Sequence, residues 1–358
     1  MKCTTLKLGL AILLAAATLN AQAQEPAAPL AEEFQICDMG PCPAPSRWEF
    51  TGGLLYLQPG AGNLEYGTLV SPLPLPTPNW ANQSVTPDFS PGFNVGLRYL
   101  VPEWGNDIQV SWSHLETSDR ASIHARADQF LGPSYEIGPD ALLYLRARGR
   151  VDFGWDSVNL DVGHHFYTRG PVQIRVFGGL QYARIQQEVA AHFESITPLF
   201  SIDNTTESLF NGVGPRVGAK SQLVFGNFDL LSEFAGSLLI GRNHSRIDFE
   251  ATSPLLGGLG ITPPNSQSLT SPDAMQVVPS LDAKLGGGYT HTARNGGVFR
   301  VEAGYQMAVY MNAINDYDLT EVTTPPVAQS VGVYLRTAEH VQSDFTLHGP
   351  YFSASWSY

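Results

Sequence analysis

Charge is scarce in this sequence. Asp, Glu, Lys and Arg make up only 15% of the 358 residues, against about 25% in ordinary soluble domains. Long apolar runs are scarce too. After residue 23 nothing approaches the ~20 consecutive apolar residues of a transmembrane helix. That excludes a helical membrane protein without making the chain an ordinary soluble one. Basic residues are few, 20 against 33 acidic, for a net charge of -13. That argues against nucleic acid as a partner. Three cysteines exclude a dense disulfide framework. Metalloprotease, phosphate-loop and nucleophile-elbow motifs are absent.

What remains is rich in Gly (35) and Pro (26), with 43% hydrophobic residues and a mean hydropathy of -0.08. A transmembrane β-barrel has this profile, because alternation hides its apolar half.

The N-terminus has the order of an export signal. Lys2 and Lys7 are basic, Leu8 to Leu19 is apolar, and Ala21-Gln22-Ala23 is a small-x-small cleavage pattern, with cutting expected before Gln24. The apolar run is short for a membrane anchor. Cys3 precedes the run, so it is not a lipid-attachment cysteine. Cleavage would leave 18 basic and 33 acidic residues, a charge of -15. Residues 24–46, rich in Ala, Pro and Glu, read as a disordered periplasmic leader. They hold Cys37 and Cys42 in CDMGPC. An oxidising periplasm favours a disulfide between them. A metal site is the alternative, but two thiolates without nearby His fall short of four ligands.

From Arg47 onward the dominant signal is period-two alternation. In FNVGLRYLV (93–101) the odd positions are Phe, Val, Leu, Tyr and Val. The even ones are Asn, Gly and Arg, with Leu100 the exception. On a strand these lie on opposite faces. Ten strands are predicted, at 47–58, 92–101, 107–116, 149–166, 173–187, 211–225, 228–241, 275–290, 297–312 and 343–358. The apolar phase switches near Asp156-Ser157, which a bulge would explain. It switches again at Gly349-Pro350.

The connections alternate long and short. Long ones fall at 59–91, 117–148, 188–210, 242–274 and 313–342. The short ones carry turn residues, such as Gly226-Asn227 and Arg294-Asn295-Gly296-Gly297. Outer-membrane barrels have short periplasmic turns, long external loops and an even strand count. The expected fold is therefore all-β: a transmembrane antiparallel barrel of about ten strands (range 8–14) over residues 47–358. Aromatics near the strand ends, among them Trp48, Tyr56, Tyr99, Trp112, Phe166, Phe228 and Tyr289, suit interfacial girdles. The chain ends with Phe352, Ala354, Trp356 and Tyr358 on one face. Phe352, Trp356 and Tyr358 form a candidate signal for the barrel assembly machinery.

Several stretches resemble a known family. WEFTGGLLYLQPGAGNLEYG (48–67), VNLDVGHHF (158–166), FGGLQYARI (177–185), FNGVGPRVG (210–218) and HGPYFSASWSY (348–358) are similar to the Legionella major outer membrane protein family, also found in planctomycetes. The resemblance implies an outer-membrane barrel with pore activity. It marks no catalytic set.

Chemistry-bearing residues are few. His164 and His165 are adjacent on a strand, so they point to opposite faces and cannot share a metal. His114 and Glu116 lie near the external mouth, where some barrel proteases carry Asp and His, but two residues make no full constellation. Asp203, Asn204 and Glu207, and Asn312, Asn315, Asp316 and Asp318, are oxygen ligands suited to Ca²⁺, though more often such residues are solvated loop. No enzyme activity and no cofactor are expected.

By parity Glu49, Asp161, Asp229, Glu233, Asp282 and Glu302 point inward, with Arg98, Arg175, Arg216, Lys220, Lys284 and Arg300. These are the candidate pore-lining residues. Six of each sign leave ion preference open. Two function classes follow. One is a porin-like channel for passive diffusion of small solutes. The other is a non-conducting structural or adhesive protein acting through its external loops. Eight strands give an interior just filled by side chains, whereas sixteen leave a channel. Ten lies near the closed end, unless strands hide at Leu64 to Val70 and Leu142 to Leu145 or several chains form a homo-oligomer. Loop 59–91, with seven Pro, suits a folded plug or a contact surface. Expected partners are outer-membrane lipid, the assembly machinery and small solutes.

Overall fold

The computed structural model describes residues 48–71, 79–101, 106–126, 129–132, 144–167, 171–195, 201–252, 265–271, 273–294, 296–323 and 334–358. The export signal, the leader with Cys37 and Cys42, and Leu142 and Leu143 lie outside them. Fourteen strands are described: β1 (Trp48–Ala61), β2 (Glu65–Ser71), β3 (Asn79–Ser84), β4 (Ser90–Val101), β5 (Asn106–His124), β6 (Phe130–Gly132), β7 (Tyr144–Tyr167), β8 (Val172–Ser195), β9 (Ser201–Phe225), β10 (Phe228–Thr252), β11 (Asn265–Thr270), β12 (Ala274–Thr292), β13 (Val298–Thr323) and β14 (Tyr334–Ser357).

Ten of them close into a ring in the order β1-β4-β5-β7-β8-β9-β10-β12-β13-β14, every neighbour antiparallel. These are the ten strands predicted from alternation. Closure is made by the two ends of the ring. Glu49 faces Ser357, Phe50 faces Trp356, and Trp48 and Tyr358 exchange backbone hydrogen bonds of 3.4 and 3.1 Å. A closed ring leaves no wall edge, which hydrocarbon demands of a sheet. The turn at Gly226-Asn227 has φ of 65° at Gly226, as a type II′ hairpin with Gly first requires.

The outer face carries an apolar belt. On β10 Phe228, Leu230, Phe234, Leu238 and Ile240 are exposed, while Asp229, Leu231, Ala235, Ser237 and Leu239 between them are buried inside. From Phe228 to Ile240 the strand climbs about 40 Å. At a tilt of about 40° that is about 30 Å of height, the thickness of a bilayer's hydrocarbon. At the belt's lower rim the Phe228 and Tyr289 rings pack at 5.0 Å. At its upper rim Trp112 packs edge-on to Phe93 at 4.9 Å and donates to Asp156 at 3.1 Å.

Most strands run past the belt on the long-loop side. Segments expected as loops at 188–210, 242–274 and 313–342 are largely strand. Above the belt the outer face meets water and the inner face is apolar, so the alternation inverts. On β7 the apolar residues face outward at Val158, Leu160 and Val162 and inward at Val151, Phe153 and Trp155. The bulge expected at Asp156-Ser157 is therefore absent. Both ladders of β7 pass through these residues without a register shift. At Gly349-Pro350 the ladder with β13 also runs through unbroken, so the apolar phase changes there, from inward Phe345 and Leu347 to outward Phe352 and Trp356, without a bulge. The candidate strand at Leu64 to Val70 exists as β2, but it lies outside the ring, pairing with β3 and β6.

Candidate functional site: the barrel interior

All twelve charged residues predicted to face inward lie on inward positions of their strands. They are Glu49, Arg98, Asp161, Arg175, Arg216, Lys220, Asp229, Glu233, Asp282, Lys284, Arg300 and Glu302. They occupy the half of the barrel nearest the short turns. There ten of them, all but Asp229 and Asp282, line a cavity of about 290 Å³, reaching from Glu49, Thr290 and Ser357 at the short-turn end up to Leu55, Gln306 and Tyr351.

The charges are organised as clamps. Arg175 grips Asp107 with Nε and Nη2, at 2.7 and 2.5 Å, while its guanidinium stacks over Phe177 at 4.9 Å. His165 Nε2 reaches the same carboxylate at 2.7 Å. Arg216 pairs with Asp282 and stands 3.7 Å from Asp161. Arg300 donates to Asp229 at 2.7 Å and to Glu302 at 3.1 Å. Tyr351 donates to Glu302 at 2.7 Å, and Arg98 lies 3.1 Å from Glu49. Gly163 makes room for this lattice, since a Cβ there would sit 2.4 Å from Arg175 Nε.

Asp107 and His165 are the members that parity reasoning left out. Asp107 alternates with the outward Ile108 and so was readable as an inward acid. His165 points in and His164 out, the latter bonded to Asn106.

Above the charges lies an uncharged polar layer. Trp155 donates to Tyr310 at 3.1 Å. Gln181 donates to Ser157 at 3.0 Å and accepts from Ser237 and Ser280 at 2.6 and 3.2 Å. Trp155 is on β7 and Tyr310 on β13, five places apart in a ring of ten. Side chains from opposite walls therefore touch, and the lumen is closed at this level.

Above that the filling is apolar. Phe153, Phe210, Phe345, Leu115, Ile185 and Leu239 are fully buried, and Phe153 meets Phe345 across the lumen at 5.7 Å. Two segments complete the plug. One is the connection between β1 and β4. Its Leu64, Tyr66 and Val85 are buried in this core, Tyr66 lies against Gly149, and Asn63 bonds both Gln187 of β8 and Asp316 of β13.

The other is β13 itself. Its ladder with β12 stops at Ser280 and Tyr310. Two extra residues then enter before Ile314, with Asn312 at φ 56°. The strand bends inward, so that Asn315 N–H donates to Ser208 of β9 at 3.0 Å and the carbonyl of Ala313 accepts from Asn243 of β10 at 3.0 Å.

The remaining candidates do not converge. His114 bonds Asp156 at 2.8 Å on the outer wall, where Glu116 also points, so neither faces the mouth. On β9, Asp203 and Glu207 point outward while Asn204 points inward. Asp203 binds His192 at 2.5 Å, and Asp316 binds Asn63. Among the described residues no group of three or more His, Cys, Asp or Glu is placed to hold a metal ion. Phe352, Trp356 and Tyr358 all face outward on β14.

A closed antiparallel barrel with a lipid-height apolar belt and a charged interior defines a transmembrane β-barrel protein. The chain belongs to the family described as Legionella pneumophila major outer membrane protein precursor, which matches residues 40–358. It is an outer-membrane protein. No curated protein matches it.

Among solved structures it is similar to the outer membrane protease OmpT from Escherichia coli, at 8% identity and a TM-score of 0.41, covering 88% of this chain and 97% of that one. A Pseudomonas aeruginosa FadL homologue matches at 7% identity and 0.25, over 87% and 90%. The Pseudomonas putida toluene transporter TodX matches at 10% identity and 0.20, over 88% and 91%.

Proposed function

We propose that this outer-membrane protein is pore-forming, passing small polar solutes, and that its resting form is closed above a charged vestibule. The carrying observation is the division of one lumen into two chemistries. The chain fills the upper half with Phe, Leu and Ile, so an apolar filling was available to it. In the lower half it keeps charged residues around a cavity instead. Buried ion pairs repay their desolvation poorly compared with apolar packing, so stability does not explain them. A solute or ion path does, since selectivity filters are rings of polar and charged groups. The role is passage rather than catalysis.

The packed upper half favours a second reading, a non-conducting surface protein. Bilayer recordings separate the two. Protein extracted from outer membranes is expected to rest shut in planar bilayers and to give brief, small, discrete openings. A Phe153→Ala/Phe345→Ala variant, which removes two rings that meet across the lumen, is expected to give larger steps. Silence from both, with each shown by heat-modifiable gel mobility to be folded, overturns the pore in favour of the surface role.

A further inference from the structure

The cavity has more hydrogen-bond donors than its own acceptors use. Around one wall the cross-strand neighbours read Arg175, Lys220, Glu233, Lys284. Three cations share that row with one carboxylate, and Arg175 is already held by Asp107. Among the described residues neither Lys220 nor Lys284 has a carboxylate within ion-pair distance. The Lys284 ammonium stands 6.0 Å from the centre of the Tyr351 ring.

The acids that line the cavity are occupied elsewhere. Glu49 is engaged by Arg98 and Asp161 by Arg216. Glu302 is engaged by Arg300 and Tyr351. Glu233 is left to serve two lysines. Arg216 Nε and Asp161 Oδ1 face each other at 3.7 Å, too far for a hydrogen bond. The Nε atoms of Arg98 and Arg300 are buried without a hydrogen-bond partner, against Asn159 Oδ1 as the other such acceptor in the same cavity. The Arg216 side chain is only 5% exposed.

We propose that this cavity is a binding site for a compact oxyanion, such as phosphate, sulfate or a short carboxylate, seated between Lys220 and Lys284. The two lysines stand two strands apart, about 10 Å of backbone spacing. Glu233 stands on the strand between them, so the anion sits off the wall, in the cavity, where the long flexible lysine side chains reach past that carboxylate. Charge-assisted N–H···O bonds are the strong kind, and an anion would satisfy donors that burial otherwise penalises. Selection rests on these local donors rather than on net charge, since the lumen as a whole is close to balanced. The site deepens the pore reading by naming the class of solute that the vestibule holds.

The test is calorimetric titration of the folded protein in detergent with inorganic phosphate, at constant ionic strength. The expected result is saturable binding of one phosphate per chain. A Lys220→Gln/Lys284→Gln variant is expected to bind at least tenfold more weakly, and the outer-wall Arg120→Gln variant unchanged. The single variants, read separately, give the same answer if the double variant fails to fold. No saturable heat from the wild type, or equal binding by the lysine variants, overturns the site. Binding by a barrel that is silent in bilayers keeps the site and removes the pore. A conducting barrel without binding removes the site alone.

Discussion

At the scale of single residues, the environment of a side chain changes along one strand. Glu188 shows it outside the membrane. It faces Asp152 on one side and Glu207 on the other, on the outer wall above the belt. Partial burial, then the neighbouring Asp152 and Glu207 carboxylates, raise its pKa above the ordinary 4.5. A raised carboxyl pKa means that the folded state binds the proton more tightly than the unfolded one. The stabilisation is full below pH 4.5 and is lost as pH rises through the folded value. Glu188→Gln is therefore expected to raise the thermal midpoint at pH 7 and to leave it unchanged at pH 4. Thermal scans of the two proteins at both pH values check this, and an equal gain at both would remove the electrostatic explanation.

At the scale of elements, the departure of β13 from the wall is the most consequential feature. Below Tyr310 it is a ring strand; above it the strand keeps its ladder with β14 but loses that with β12, and Ala313 to Asn315 turn into the lumen. Side chains replace the missing ladder there. Gln276 donates to the Asn312 carbonyl at 2.5 Å, and Asp344 accepts from its N–H at 2.8 Å. Asn312 holds the bend in the left-handed region, which Asn tolerates and β-branched residues do not. Asn312→Gly is expected to leave stability within about 0.5 kcal/mol, because no bond to the Asn312 side chain is lost. Asn312→Val is expected to cost about 1–2 kcal/mol. Denaturant unfolding of the folded barrel measures both. A valine as stable as glycine would show that the bend relaxes.

At the scale of the whole molecule, closure depends on the last few residues. Phe50 pairs with Trp356, and Trp48 with Tyr358. Removing residues 356–358 leaves the β1 edge bare at its lower end, and exposed backbone groups in lipid cost several kcal/mol each. The truncated chain is expected to lose the heat-modifiable gel mobility of a folded barrel. A truncated chain that keeps that mobility would place closure in the upper rungs of β1 and β14.

Much of this was legible in the residue pattern, and the limit of legibility is physical. Alternation reports which face meets lipid, so it located ten strands and twelve inward charges. Above the belt no lipid imposes a sign on the outer face, and an inverted pattern reads as a loop, a bulge or a phase error. The strand extensions and the unbroken register of β7 and β14 were therefore hidden. The Trp155–Tyr310–Gln181 layer was hidden for another reason. It is defined by contacts across the lumen, between strands distant in the chain, and period-two spacing carries no information about what faces a residue from the opposite wall. By itself the sequence determined a ten-stranded barrel with a charged inner face. Only the tertiary structure decided that β13 and the first long connection fold into that barrel and close it, because the filling of a lumen is set by the volumes that meet inside it.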